Sequence, residues 1–236
     1  MAKLVNSFWG SSTLLDDLIG YWKLDETSGT TAYDAMTAND GTNTNCTVNQ
    51  TGQIDKAYLT QVAAARVIVS TSSGDFDFGS GAFSVSCWAD VSGGGLGEWF
   101  VNRRDATYHD WQIIRFSGNL EVYIHTDGSN YLKATITEPT FTAWNHLAFT
   151  YDGSGNASGL KLYHNDTLLS TTNSETGTYT GMGDNATQIV IGAEGFSGTY
   201  DRHPANMDEV KIWGRELSAD EVSEDYDNGD AGDPLF

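Results

Sequence analysis

Met207-Asp-Glu-Val-Lys-Ile-Trp-Gly-Arg-Glu-Leu-Ser-Ala-Asp-Glu-Val222 decides the fold, because a strand and a helix start follow each other within it. The run 206–213 reads as a strand. Ser218 with Glu221 three residues on is a capping box: the Ser hydroxyl accepts from an early helix amide while the Glu carboxylate reaches back to the Ser amide. A short helix through about Asp227 is expected, ended by Asn228-Gly229. It is the single convincing helix signal in a chain otherwise made of short β-rich runs.

Working upstream, strands are expected near 18–24, 56–70, 82–91, 97–103, 111–116, 119–125, 130–137, 144–151, 159–164, 167–172, 188–193 and 206–213. Turn signals recur at intervals of roughly ten residues, the pattern of a sandwich or barrel. Ser117-Gly118-Asn119, Asp127-Gly128-Ser129-Asn130 and Asn165-Asp166 each join two such runs, which predicts consecutive hairpins and an antiparallel meander. In Phe83-Ser-Val-Ser-Cys-Trp88, Phe83, Val85 and Cys87 share one face and Ser84, Ser86 and Trp88 the other, so Trp88 implies that the second face is covered too.

The whole chain of 236 residues suits one all-β domain, with 39% hydrophobic residues, 26 Gly and 3 Pro. Residues 1–17 are read as an arm that docks on its own domain or on a partner, 18–229 as the sandwich, and 230–236 as an acidic tail. Twelve Lys and Arg stand against 32 Asp and Glu, a formal net charge of −20. That field repels phosphate backbones and anionic headgroups, and no basic patch offsets it, so nucleic acid is excluded as a partner. No apolar run is long enough to span a bilayer, and the N-terminus lacks the pattern of a signal peptide. Cys46 and Cys87 allow one bond at most, and two buried free thiols are expected.

Several runs together resemble the laminin-G-like, concanavalin-A-like domains. Leu18-Ile-Gly-Tyr-Trp-Lys-Leu-Asp-Glu26 with the loop through Asn39-Asp40-Gly41 is similar to that family's first strand and following loop. Phe83–Trp88, Trp144–Gly153 and Leu160–Asn165 resemble its core strands, and Met207–Val222 its closing strand and helix. The resemblance implies a jelly-roll sandwich of two antiparallel sheets in which the first and last strands are neighbours. It also implies a structural Ca²⁺ near that seam, for which Asp25, Asp34, Asn39 and Asp208 are the candidate ligands, since a hard cation needs about six to eight oxygens. The alternative is that Asp34 and Asn39 are turn residues and Asp208 pairs with Lys23 or Lys211.

The same fold hosts glycoside hydrolases and polysaccharide lyases, and their patterns are missing. Asp208 and Glu209 are adjacent, hence expected on opposite faces of a strand, and Gln112-Ile113 is followed by Ile114-Arg115 rather than by a His. His146 reads as a packed or hydrogen-bonded residue. Binding is the better class, because aromatic rings stack on the C–H faces of sugars while polar neighbours satisfy hydroxyls. The candidate platforms are Trp99, Tyr108, Trp111, Tyr131 and Tyr200, with His109, Asn102, Arg103, Asp110 and Arg202 beside them; Trp22, Trp88, Trp144 and Trp213 are expected in the core. The opening also looks like single-domain proteins of phage structural modules. The reading is therefore a non-catalytic structural and adhesion protein on a virion surface, as a capsid decoration or tail-associated protein. It would assemble with other virion proteins or its own copies through the arm and bind cell-surface glycan. The alternative is a carbohydrate-binding module of a secreted or cell-surface bacterial protein.

Overall fold

The computed structural model describes residues 12–62, 64–92, 97–194 and 206–236. In chain order the strands are β1 (Leu18–Trp22), β2 (Thr31–Ala32), β3 (Gly41–Thr44), β4 (Thr47–Thr51), β5 (Lys56–Leu59), β6 (Arg66–Ser70), β7 (Phe83–Asp90), β8 (Gly97–Arg104) and β9 (His109–Phe116). They continue as β10 (Asn119–Asp127), β11 (Asn130–Thr137), β12 (Trp144–Tyr151), β13 (Leu160–His164), β14 (Thr167–Leu168), β15 (Thr172–Thr176), β16 (Gln188–Ile191) and β17 (Asn206–Trp213), and helix α1 (Ala219–Ala231) closes the chain. An eight-stranded sheet has the order β14-β13-β12-β7-β17-β5-β4, with β1 also on β17. A nine-stranded sheet has the order β15-β11-β10-β9-β8-β16-β6-β3-β2. The described pairings are antiparallel, as the meander from β8 to β11 requires.

The inner faces of the two sheets meet in one core. Phe83, Val85 and Cys87 of β7 point into it, and the Phe83 ring lies 5.3 Å from that of Phe149 and 5.9 Å from that of Trp111. Ser117 and Gly118, both at positive φ, make the tight turn between β9 and β10. The Asp127 carboxylate accepts the amides of Ser129 and Asn130 in the next turn. The expected run 56–70 is two strands in different sheets, and 167–172 likewise divides between β14 and the start of β15. Strands β2, β3 and β4, rich in Gly, Asn and Thr, carry no apolar signal and are added by the structure. Both cysteines are buried and free. Burial raises the Cys46 thiol to about 12.

Helix α1 and residues 12–17 form a third layer on the outer face of the eight-stranded sheet. The capping box is present, with Ser218 Oγ accepting the Glu221 amide and Glu221 Oε2 accepting the Ser218 amide at 2.8 Å. The helix runs past the expected stop to Ala231, and Gly232 in the left-handed region caps it. Gly229 stays helical because a Cβ there would strike the Trp88 indole; the missing side chain lets the helix approach the sheet. Trp88 is covered as its position implied, by Tyr226 stacked at 5.6 Å. Of the arm, residues 12–17 dock on the domain itself: Leu14 is buried, the Trp213 indole donates to its carbonyl at 2.7 Å, and Arg215 donates to the carbonyls of Thr13 and Asp16. Residues 1–11 lie outside the described residues. The acidic tail begins inside α1, and Phe236 ends edge-on against Tyr21 at 5.4 Å.

A bulge in β17 organises this layer. Glu209 has φ +51°, and the pairing with β7 shifts between Asp208 and Lys211. Met207 and Val210 both face the core, so the two residues between them share the outer face with Lys211. The expectation that Asp208 and Glu209 occupy opposite faces is thereby corrected: the extra residue cancels one step of the alternation. The same bulge divides the far edge of β17, whose residues 206–207 pair with β5 and 210–213 with β1. The first and last strands are neighbours as expected.

Under the helix, Lys211 Nζ lies 3.1 Å from Glu209 Oε2 and 3.1 Å from Asp225 Oδ1. Asp225 Oδ2 meets His146 Nε2 at 3.0 Å and accepts from Ser86 Oγ at 2.7 Å, while Tyr21 donates to Glu209 Oε2 at 2.5 Å. Burial alone would lower the Lys211 ammonium, but Asp225 and Glu209 outweigh it and hold it at about 12. Burial likewise opposes the Asp225 charge, and Lys211, His146 and Ser86 overcome it, holding the carboxyl well below the usual range. Replacing Asp225 by Ala leaves Lys211 with half of its compensation in a dry site. Urea unfolding of Asp225→Ala is expected to show a loss of about 3–5 kcal/mol, the cost of breaking a buried pair.

Candidate functional site

The outer face of the nine-stranded sheet is the counterpart of the helix-covered face. The one described α-helix packs on the other sheet, and no described strand lies over β8 to β11 on this side. The pairing register sets side chains in rows across the strands. One row runs Asn102, Gln112, Tyr123, Lys133 and Ser174; beside it run Trp99, Ile114, Glu121, Thr135 and Thr172. A third holds His125, Tyr131 and Thr176.

Aromatic rings gather at one end. Tyr123 and His125, two residues apart on β10, stack at 5.6 Å and 8°. Tyr131 lies 5.2 Å from His125 and 5.5 Å from Tyr123, and His109 meets His125 edge-on at 5.7 Å. Over β11 and β15 the face opens into a groove of about 580 Å³ lined by Lys133 and by the hydroxyls of Thr135, Thr172 and Ser174. Charged groups on the face are paired within it: Lys133 Nζ is 2.7 Å from Glu121 Oε1, which shares its carboxylate with Tyr123 and Thr135, and Arg104 is 3.0 Å from Glu194.

Neutral polar groups on this face are left without partners. Trp99 Nε1, Asn102 Oδ1, Gln112 Oε1 and both ring nitrogens of His125 are buried and bonded to no protein atom. The four side chains are each more than nine-tenths buried. The Asn102 orientation is fixed by its own amide nitrogen, which donates to the carbonyls of Val190 and Ala193. Buried polar atoms are normally satisfied, so five unpartnered ones on one face mark a place where a ligand or ordered water completes the bonding.

The candidate platform residues divide. Trp99 and Tyr131 lie on this face, and Tyr108 is half-exposed in the adjoining β8–β9 turn. Trp111 is corrected to the core: it is 1% exposed and packs against Phe83 and Phe149, because its strand parity matches Ile113 rather than Gln112. Tyr200 and Arg202 lie outside the described residues. Asn102 is on the face, whereas Arg103 is an inward structural ion, holding Asp77, Asp110 and Asp184 and the carbonyl of Phe76. Of the Trp residues assigned to the core, Trp22, Trp88 and Trp213 are buried and Trp144 is half-buried. Tyr123, His125 and Gln112 were missed. The alternation in Glu121-Val-Tyr-Ile-His125, with Val122 and Ile124 inward, carried the signal.

The four residues proposed for Ca²⁺ do not fit the ion as they stand. Both oxygens of Asp34 accept backbone amides, from Tyr21, Met36, Ala38 and Asn39, which makes it the staple of its loop. The Asn39 side chain joins Asp75 and Ser73. Asp25 accepts the Lys56 amide, and Asp208, the one member with a buried unpartnered oxygen, accepts the Ile54 amide. Among the described residues no group of three His, Cys, Asp or Glu is arranged to hold a metal. Excess Ca²⁺ and excess chelator are expected to give the same melting temperature.

The family model for the concanavalin A-like lectin/glucanases superfamily matches residues 64–223, which include β6 to β17 and the start of α1. The chain belongs to that superfamily. Solved structures of similar fold include the binding domain of botulinum neurotoxin DC in complex with SialylT, at 15% identity and TM-score 0.69, covering 92% of this chain and 52% of that one. The binding domain of Paraclostridial Mosquitocidal Protein 1 is 20% identical, with TM-score 0.67 and coverage of 90% and 52%. A structure of botulinum neurotoxin type C, whose cell entry is described as dependent upon interaction with two ganglioside molecules, is 16% identical, with TM-score 0.68 and coverage of 91% and 51%. At these identities the likeness is one of fold, and the chain spans about half the length of each. No curated protein matches it.

Burial lowers His125 to about 4, and the neighbouring His109 and Arg104 push the same way. A depressed His pKa means that the unfolded chain binds the proton first, so stability is full above the ordinary value of 6.5 and falls as the pH drops toward 4. The difference in unfolding free energy between wild type and His125→Gln is expected to change by about 3 kcal/mol across that window, at about 1.4 kcal/mol per pKa unit. Urea titrations at a series of pH values measure it; a constant difference would place His125 in a solvated environment.

Proposed function

We propose that this concanavalin A-like domain is a non-catalytic glycan-binding module whose ligand lies on the outer face of the nine-stranded sheet. The observation that carries the reading is the coincidence there of Trp99, Tyr123 and Tyr131 with unpartnered neutral polar atoms and a hydroxyl-lined groove. Sugar rings present C–H faces to π surfaces and hydroxyls to amides, and this face offers both. The names of the similar structures support it, since two are binding domains, one of them in complex with SialylT, and the third belongs to a toxin whose cell entry is dependent upon gangliosides. The acids around the face are tied to bases, Glu121 to Lys133, Glu194 to Arg104 and Glu138 to Arg115, rather than set as a free pair flanking a substrate.

A finer placement, on the outside of a phage particle, draws on the resemblance of the opening residues and on the net charge of −20, which keeps crowded copies apart. Mass spectrometry of purified particles tests it, and absence of the chain from them rejects it. The alternative, display at a bacterial cell surface, keeps the same site.

A glycan array followed by calorimetry is expected to find a ligand whose affinity falls at least tenfold, about 1.4 kcal/mol, in Trp99→Ala and in Tyr131→Ala. Leu168→Ser, at an exposed position on β14 in the other sheet, serves as the control and is expected to leave affinity unchanged. Equal affinity in all three variants would move the site elsewhere.

A further inference from the structure

We propose that the outer face of the nine-stranded sheet takes neutral saccharides and rejects acidic ones, an inference that rests on the glycan-binding reading above. The argument starts from what the face lacks. Over β8 to β11 its ammonium and guanidinium groups are held by carboxylates: Lys133 by Glu121 at 2.7 Å, with Tyr123 donating to the same carboxylate, and Arg104 by Glu194 at 3.0 Å. An incoming carboxylate or sulfate would have to displace Glu121 or Glu194 from its partner while remaining beside it, and like charges at such distances repel. The chain as a whole, at −20, repels anions before contact.

The unpartnered atoms point the same way. Asn102 Oδ1 and Gln112 Oε1 are acceptors and need donors, Trp99 Nε1 is a donor, and a neutral His125 presents one of each. A carboxylate or sulfate oxygen only accepts, and would leave Asn102 and Gln112 unsatisfied or repelled. A sugar hydroxyl both donates and accepts, so it can answer amide oxygen and indole nitrogen alike. The groove continues this chemistry, because Thr135, Thr172 and Ser174 contribute hydroxyls and no free charge. From Tyr123 to Ser174 the accessible part of the row crosses three strands, two steps of roughly 4.8 Å or about 10 Å, so the ligand is longer than a single ring and lies across the strands.

The test titrates the full chain with matched pairs, galactan against polygalacturonate and lactose against sialyllactose, at low and high NaCl. The neutral member is expected to bind at least tenfold tighter than its acidic partner, with an affinity that salt leaves unchanged. In Gln112→Leu, neutral binding is expected to fall at least tenfold while the melting temperature holds or rises, because an unpartnered buried amide is replaced by a group that needs no bond. A purely structural Gln112 would move the melting temperature and leave affinity alone. Tighter binding of the acidic members that weakens in Trp99→Ala, or neutral binding that Gln112→Leu does not touch, overturns the class and leaves the glycan reading standing. Absence of binding to all four probes removes both.

Discussion

Lys211 is 3% exposed and has no water to turn to, so its charge is tolerated only where two carboxylates reach it. One comes from its own strand and the other from α1, and that requirement holds the third layer in place. Glu209 serves because it lies two residues before Lys211 on the same face of the strand, and the bulge, with Glu209 left-handed at φ +51°, brings Asp208 to that face as well. Asp225 can serve only if the helix lies close, which in turn depends on Gly229 resting against Trp88. The apolar contacts of Leu14, Tyr21, Trp213, Leu217 and Val222 fill the space around the ions. Buried ion pairs add less net stability than their geometry suggests, but they penalise every arrangement that leaves a charge alone. Here they fix the register of helix on sheet.

The two outer faces of the sandwich therefore differ in emphasis, although Trp88 Nε1, Asp208 Oδ1 and Glu209 Oε1 are also without partners on the helix-covered one. On the helix-covered face the network is ionic, and its Lys, Asp and His members are tied to one another and to Ser86 and Tyr21. On the nine-stranded sheet, over β8 to β11, Lys133 and Arg104 are tied up in pairs while neutral donors and acceptors are left over. A fold under selection for stability alone would fill Asn102, Gln112 and His125 with apolar groups, because each buried unpartnered polar atom costs roughly 1–3 kcal/mol. Their presence is the kind of local inconsistency expected at a functional site.

The sandwich was legible because its strands advertise themselves: β7, β11, β12 and β17 alternate or run apolar between turns with recognisable chemistry, and Ser218 with Glu221 marks the helix start. The strands that were missed, β2 to β4, are held by partners rather than by their own composition. Asn228-Gly229 reads as a stop in one dimension, and only the Trp88 ring on a distant strand makes Gly229 an interior residue. The site was half legible for a related reason. Trp99 and Tyr131 stand out by type, but whether an aromatic faces the core or the ligand is a matter of strand parity. Trp111 shares a face with Ile113 wherever β9 begins, and which of the strand's two faces is the inner one is set by the opposing sheet, where Phe83 and Phe149 meet the Trp111 ring.

The metal expectation turns on a different ground, one that bears on how such sites are read. Asp25, Asp34, Asn39 and Asp208 are oxygen-bearing residues near the seam of the first and last strands, and composition cannot distinguish a ligand from a staple. The distinction lies in what the oxygens already hold. Asp34 accepts four amides and has no capacity left for a cation, whereas an ion site needs carboxylate oxygens that the backbone leaves alone. The same test, applied to the nine-stranded sheet, selects the opposite kind of atom: Asn102 Oδ1 and Gln112 Oε1 are unclaimed by the protein, and their neutrality is what makes them suited to a hydroxyl rather than to a metal or an acid. What each face can bind follows from which hydrogen bonds the fold has already made.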